Sequence, residues 1–265
     1  MILFDSHCHI NDPVFEPDFD TMMARAETEG IRAMMIAGVD LSTVERALSL
    51  AEKYENIVTA VGLHPHDASH CDENLLNTFG KLAKENPSVK AWGEIGLDFN
   101  RMFSPQEDQE ACFISQMHRA EELNLPLIFH ERDTRGRFYD ILKSEGPHSR
   151  QGVIHCFSGT QDEMFKYLDL GYHIGITGIL TIKQRGQQLR ELATLIPEDR
   201  ILIETDSPYL TPTPQRNKHR RNEPAFVKSV LLRLAEIRNT DPDTLAQAIF
   251  NNTQRLYRTS FTPSP

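Results

Sequence analysis

The chain has 265 residues, 39% of them hydrophobic and 25% charged, with a formal charge of −10 at pH 7. That length and balance describe a globular protein able to bury a large core, and no run of roughly 18 or more apolar residues offers a membrane span. An acidic chain is also a poor candidate for coating nucleic acid through many cationic contacts to phosphate, although a local phosphate site stays open to it. The start lacks a basic region followed by an apolar stretch and a small-residue cleavage site, so a cytoplasmic location is expected. Four widely spaced cysteines, Cys8, Cys71, Cys112 and Cys156, contain no Cys-x-x-Cys pair and suggest neither a disulfide framework nor a thiolate zinc site.

The first element is "ILFDSH" (2–7), an apolar run that leads into Asp5, His7 and His9. Residues two apart on a strand share a face, so these three polar groups point the same way, and Cys8 faces the other side as a packing residue. A helix over about 17–29 follows, with Pro17, Asp18 and Asp20 suited to its first turn and Gly30 to its stop. "AMMIAG" (33–38) and "IVTAVGLH" (57–64) read as the next two strands, with a helix at about 41–54 between them and another at 72–85. "VKAWGEIG" (89–96) is the fourth strand. Ser104, Pro105 and Glu107 read as a capping box opening a helix over about 105–124.

"PLIFH" (126–130) starts its strand on Pro126, where a missing N–H does least harm. Helix 134–145, strand "GVIHCF" (152–157), helix 160–170 stopped by Gly171, strand "YHIGITG" (172–178), helix 184–196 and strand "RILIETD" (200–206) complete the series. A helix over 223–238 precedes one more from about Asp243, with Leu245, Ile249 and Leu256 as its buried stripe. "TPSP" reads as a frayed tail. Eight strand-then-helix repeats without a linker predict an α/β protein, a (β/α)8 TIM barrel in one domain over 1–260 with an additional C-terminal helix and a tail at 261–265.

In such a barrel the chemistry lies at the carboxyl ends of the strands. His7 and His9 end the first strand, Glu94 the fourth and His130 the fifth; His155 is in the sixth, and Asp206 ends the eighth. Each alone has a dull explanation, a capping carboxylate or a histidine bonded to a backbone carbonyl. Four imidazoles and two carboxylates on one rim are costly to desolvate unless something satisfies them, and divalent cations do so with these donor types. About two ions match that number of ligand bonds, the arrangement used for phosphoryl hydrolysis.

Glu204 falls one layer below Asp206 on the last strand, placed to orient a ligand or a water. Asp5 stands in the same relation to His7, with an ordinary buried hydrogen-bonded carboxylate as the equal alternative. In "GLHPH", His64 at a strand end reads as a substrate contact, while His66 is either a solvated loop imidazole or functional. His70, His118, His148, His173 and His219 read as structural or solvated. Two basic loops remain: "HERDTRGRF" with Arg132, Arg135 and Arg137, and "PQRNKHRRNEPA" with Arg216, Lys218, Arg220 and Arg221. The second, near a helix start at Asn222, suits a phosphate-bearing substrate.

The stretches "DSHCHI", "GLHPHD", "GEIGLDFNR", "LPLIFHERD", "HCFSGT", "GYHIGITG", "LIETDSPYL" and "RRNEPA" together resemble the TatD-family metal-dependent deoxyribonucleases, nearly end to end and in family order. The resemblance implies that His7, His9, Glu94, His130, His155 and Asp206 bind two divalent cations, Mg²⁺ foremost, with Mn²⁺ or Zn²⁺ as alternatives. Glu94 would bridge, His7, His9 and Asp206 would serve one ion, and His130 and His155 the other. Asp206 would be the general base and Arg132 the phosphate contact of its loop, with His64 near substrate; Arg221, from the basic loop after the eighth strand, is the further expected substrate contact. The implied activity is cleavage of nucleic-acid phosphodiesters, as a deoxyribonuclease of the 3′–5′ exonuclease type preferring single-stranded DNA and possibly RNA, with neither a membrane nor an obligate protein partner. Glu131, after the histidine in "HERD", varies in related chains and bears on substrate preference. The alternatives are ester or amide hydrolysis on the same metals, such as a D-aminoacyl-tRNA deacylase, and a binding barrel that has lost catalysis, which the filled donor positions disfavour.

Overall fold

The computed structural model describes residues 1–146 and 150–261, so His148 and the "TPSP" tail lie outside the described residues. Strands and helices alternate along the chain: β1 (Leu3–Cys8), α1 (Phe19–Thr28), β2 (Ile31–Ala37), α2 (Leu41–Ala51), β3 (Ile57–Val61), α3 (Glu73–Glu85), β4 (Val89–Asp98), α4 (Gln106–Glu122), β5 (Leu127–Arg132) and α5 (Arg137–Ser144). They continue as β6 (Gly152–Ile154), α6 (Gln161–Asp169), β7 (His173–Ile176), α7 (Gln187–Leu192), β8 (Ile201–Ile203), α8 (Val227–Arg238) and α9 (Pro242–Tyr257). The strands make one eight-stranded sheet in the order β1-β2-β3-β4-β5-β6-β7-β8. After β8 the chain returns to β1: the Asp206 amide donates to the His7 carbonyl at 3.0 Å and the His9 amide to the Ser207 carbonyl at 2.7 Å. This is the (β/α)8 class, with α9 as the additional C-terminal helix. Among the described residues no helix is long and apolar enough to cross a membrane.

Packing divides the chain into two compact units, Met1–Ile36 with Ile174–Pro265, and Ala37–His173. In the first, α9 lays Leu245, Ile249 and Leu256 into the core, and its Tyr257 hydroxyl donates to the Ser6 carbonyl of β1 at 3.0 Å. Phe4 packs between Phe250 and Tyr257, each ring centroid 6.1 Å away. Cys8 is fully buried with its thiol on the Met35 carbonyl. In the second unit Phe113, Phe129 and Phe138 form an aromatic core, Phe113 stacked on Phe138 at 5.0 Å. Buried Gln116 of α4 clamps the neighbouring strands: its Oε1 accepts from the Leu63 amide (2.8 Å) and the Trp92 indole (3.1 Å), and its Nε2 donates to the Leu63 carbonyl (2.9 Å).

Helix starts depart from expectation where side chains have other partners. No Ser104 capping box forms: α4 opens after Pro105, and the Ser104 hydroxyl is buried against the His66 carbonyl and the Ser69 amide. Capping boxes instead open α2, from Asp40 and Thr43, and α6, from Thr160 and Glu163. Helix α5 starts three residues later than expected, since Asp133 and Arg135 take positive φ and Gly136 follows at +90°. Pro17 falls within a 3-10 turn before α1, and Pro224 opens another that delays α8 to Val227. Gly30 and Gly171 end their helices at φ of +89° and +86°, a conformation that glycine adopts without steric cost.

Candidate metal centre

Three residues of the first unit, at or just beyond strand ends, present their donor atoms to one another. His7 Nε2 lies 3.1 Å from His9 Nε2, and Asp206 Oδ1 is 3.3 Å from His9 Nε2 and 3.8 Å from His7 Nε2. His7 is the penultimate residue of β1, and His9 follows the strand. Asp206 is not in β8, which ends at Ile203, but three residues beyond it in the left-handed region at φ +54°. Asp is one of the few side chains that tolerate this conformation, and such outliers gather at functional sites. Two imidazole nitrogens and a carboxylate oxygen directed at one small volume match the donor chemistry of a divalent cation.

Below this cluster Glu204 is fully buried. Its carboxylate occupies the space that a Cβ at Gly175 would need, approaches the Ser6 hydroxyl at 3.4 Å, and offers an oxygen within 4.8 Å of a His7 ring nitrogen. Asp5 acts differently, since its carboxylate accepts from the Thr205 amide at 2.8 Å and the Thr205 hydroxyl at 2.5 Å, tying β1 to the chain beyond β8. Burial drives its pKa up to about 8, against the pull of those bonds. Arg221 is also committed to structure. Its guanidinium grips Asp18 at 2.6 and 2.7 Å, reaches the Val14 carbonyl and stacks over Phe15. Asn222, where a helix start was expected to meet phosphate, is buried and donates to the Thr205 and Tyr209 carbonyls.

In the second unit, one carboxylate oxygen gathers three imidazoles. Glu94 Oε1 stands 2.7 Å from His130 Nδ1, 3.3 Å from His155 Nε2 and 3.5 Å from His64 Nε2. Glu94 and His130 lie within β4 and β5, His155 follows β6, and His64 comes three residues after β3. Close approach of β4 to β5 needs Gly96, at φ +144°, where a Cβ would collide with the His130 carbonyl. His64 Nδ1 accepts from the His66 amide at 3.1 Å, which leaves its ring proton on Nε2, aimed at Glu94. Burial drives the His64 pKa down to about 4, so the ring is neutral at physiological pH. His64, Glu94 and His130 each offer a ligand atom within 4.8 Å of the others.

Asp98 is a member of this cluster that the strand-end pattern in the sequence does not single out. It is 1% exposed, and its Oδ2 lies 2.9 Å from His66 Nε2 and 3.3 Å from His130 Nε2. Burial works against its charge, but hydrogen bonds from His130, His66 and the Arg101 amide outweigh it and hold the carboxyl far below its ordinary range. At His130 burial lowers the pKa, but the Asp98 and Glu94 carboxylates outweigh it and raise it to about 9. The sequence does carry a signal: Glu94, Gly96 and Asp98 alternate, so Asp98 shares the Glu94 face if β4 runs to residue 98, as it does. Arg132 ends β5 half-exposed, and no ion pair engages its guanidinium among the described residues. His173 sits on the Gly152 carbonyl, His118 pairs with Glu145 at the surface, and His219 packs near Phe226.

A (β/α)8 fold with imidazoles and carboxylates at the carboxyl ends of its strands defines the class of metal-dependent hydrolase barrels. Comparison with known proteins narrows the class. The family model described as TatD related DNase matches residues 4–258. A "3′-5′ ssDNA/RNA exonuclease TatD" from Rahnella sp. is 40% identical over 261 residues, 97% of this chain and 99% of the relative. One of the same name from Erwinia amylovora is 41% identical over 258 residues, 96% and 99% of the two chains. Among solved structures, the TatD homolog YJJV from Escherichia coli K12 superposes with a TM-score of 0.88 at 29% identity, covering 97% of this chain and 98% of its own. The chain belongs to the TatD related DNase family.

Proposed function

We propose that this protein is a metal-dependent exonuclease that removes nucleotides from the 3′ end of single-stranded DNA, with RNA as a second substrate. The observation that carries the reading is that each of two donor clusters holds three or more residues, in a chain similar end to end to relatives named for that activity. Their names support phosphodiester cleavage and do not favour the ester or amide alternative. His7, His9 and Asp206 would hold one divalent cation and Glu94, His130 and His155 a second, with Mg²⁺ as the first choice and Mn²⁺ or Zn²⁺ acceptable to the same donors.

Cations held there would supply Lewis acidity toward the phosphoryl oxygen and toward water. The residues supply the rest. The Asp206 carboxylate takes the proton of the attacking water as its oxygen bonds to phosphorus, while the P–O3′ bond breaks and the 3′-oxygen of the shortened strand takes a proton from solvent. Arg132, with no ion pair among the described residues to neutralise it, donates to the phosphoryl oxygens as charge develops. His64, neutral, keeps its Nε2 proton toward Glu94 and stands beside the substrate without adding charge. Glu204 orients His7 from below. One catalytic barrel over 1–260 fits this division of labour.

Single strands carrying a label at either end test the reading. With Mg²⁺ present, mononucleotides should be released from the 3′ end, and a charged tRNA should keep its aminoacyl ester; release from the 5′ end or deacylation without strand cleavage would overturn it.

A further inference from the structure

Phe103 is 66% exposed, more than the other large apolar side chains that reach the surface among the described residues. Exposed rings usually ride on loose loops, but this one does not. On its N-terminal side, Asp98 Oδ1 accepts from the Asn100 and Arg101 amides at 3.0 and 2.8 Å, closing a tight turn. On its C-terminal side, Ser104 is fully buried, its hydroxyl donating to the His66 carbonyl at 2.8 Å. Gln109 joins the two anchors, accepting from the Asp98 amide and donating to the Ser104 carbonyl, both at 2.8 Å. The backbone on both sides of Phe103 is thus held by buried polar groups, and the ring is held in the open.

One side of the ring is backed. Phe103 packs edge-on against the His66 imidazole, centroids 4.8 Å apart at 80°, and His66 is fixed by Asp98, which also holds His130. The remaining surface is a preorganised apolar plane two residues from the exposed cation Arg101, separated from the candidate metal donor His130 by two side chains, His66 and Asp98. A plane beside a cation is the pattern that takes a nucleobase and its phosphate from an unpaired strand, since every base offers a π-face and stacking needs no particular sequence.

We propose that Phe103 is the platform on which a base of the single-stranded substrate stacks beside the reaction centre. This deepens the nuclease reading above and rests on it. Because the loop is already ordered, stacking costs little further ordering of the protein. A duplex, whose bases are stacked on each other, cannot use the platform without unpairing, so the residue also accounts for preference toward single strands.

The test is equilibrium binding of two short, nuclease-resistant phosphorothioate strands to the metal-loaded protein, one oligothymidylate and one abasic at every sugar, read by fluorescence anisotropy. Phe103→Ala should weaken oligothymidylate binding about tenfold, the scale of base–aromatic stacking, and leave the abasic strand unchanged. Phe103→Trp should retain wild-type binding. Equal weakening of both strands, weakening of neither, or a wild-type protein that does not distinguish them would overturn the platform. Cleavage of an ordinary phosphodiester strand by wild-type protein is measured alongside; its absence would instead overturn the nuclease reading.

Discussion

His130 presents its Nδ1 atom to Glu94 Oε1 at 2.7 Å, while its Nε2 atom lies 3.3 Å from Asp98. An imidazole held between two carboxylates, both almost fully buried, has its ring plane and both nitrogens fixed before any ligand arrives. For a metal-binding histidine this is the useful condition, because the partner of the second nitrogen sets which nitrogen is left to coordinate.

Replacing Asp98 with Asn keeps the shape and removes the charge. Metal affinity or cleavage should fall about 10- to 100-fold, the usual cost of losing a partner that orients a ligand. Metal titration by calorimetry beside strand-cleavage kinetics checks this, with circular dichroism unchanged. A D98N protein with wild-type affinity and rate would remove Asp98 from the account.

Gly96 faces the backbone of β5 rather than open space. In Gly96→Ala the new Cβ must displace the His130 carbonyl, at a φ that L-residues avoid. The expected loss is about 2–4 kcal/mol of stability, read as a lowered urea midpoint. A variant as stable as wild type would show that β4 and β5 are not held this close.

These positions show what the sequence could and could not disclose. The alternation of Asp5, His7 and His9 on one apolar strand, and of Glu94 against the apolar β4, is a period-two signal that survives without coordinates. Boundaries were the weak point, and consequences followed from them. Reading β4 as ending at 96 hid Asp98, and reading β8 as reaching 206 hid the left-handed turn that carries Asp206. Ser104 fits a capping pattern by spacing, but its hydroxyl is used by a loop 38 residues upstream, a contact no local pattern contains. Arg221 lies in a basic run that invites phosphate, and only the fold brings Asp18 to it.

Gln116 satisfies three buried groups at once, the amide and carbonyl of Leu63 and the Trp92 indole, and Leu63 precedes His64. Gln116→Leu strands all three, so unfolding in urea should show a loss of about 3 kcal/mol or more. A loss below about 1 kcal/mol would mean that these groups find other partners.

The Asp18 carboxylate sits between Arg221 and Arg25, whose hydrogen bonds hold its pKa well below the ordinary value of 3.8. A depressed carboxylate pKa stabilises the fold above the unfolded value and loses that contribution as pH falls through the folded one. Wild-type protein should therefore melt above Asp18→Asn at neutral pH, and the gap should close as pH drops below about 4. A gap that is constant with pH would assign the difference to packing.

The central claim is that Glu94 and its neighbours hold the cations on which strand cleavage depends. The most direct measurement is cleavage of a labelled single strand by purified wild-type and Glu94→Ala protein, each after chelation and then with Mg²⁺, Mn²⁺ or Zn²⁺ restored, with metal content measured on the same samples. Wild-type activity should vanish on chelation and return with metal. Glu94→Ala, folded by circular dichroism, should bind less metal and cleave at least about 100-fold more slowly. Undiminished cleavage by the chelated wild type, or by Glu94→Ala, would contradict the account.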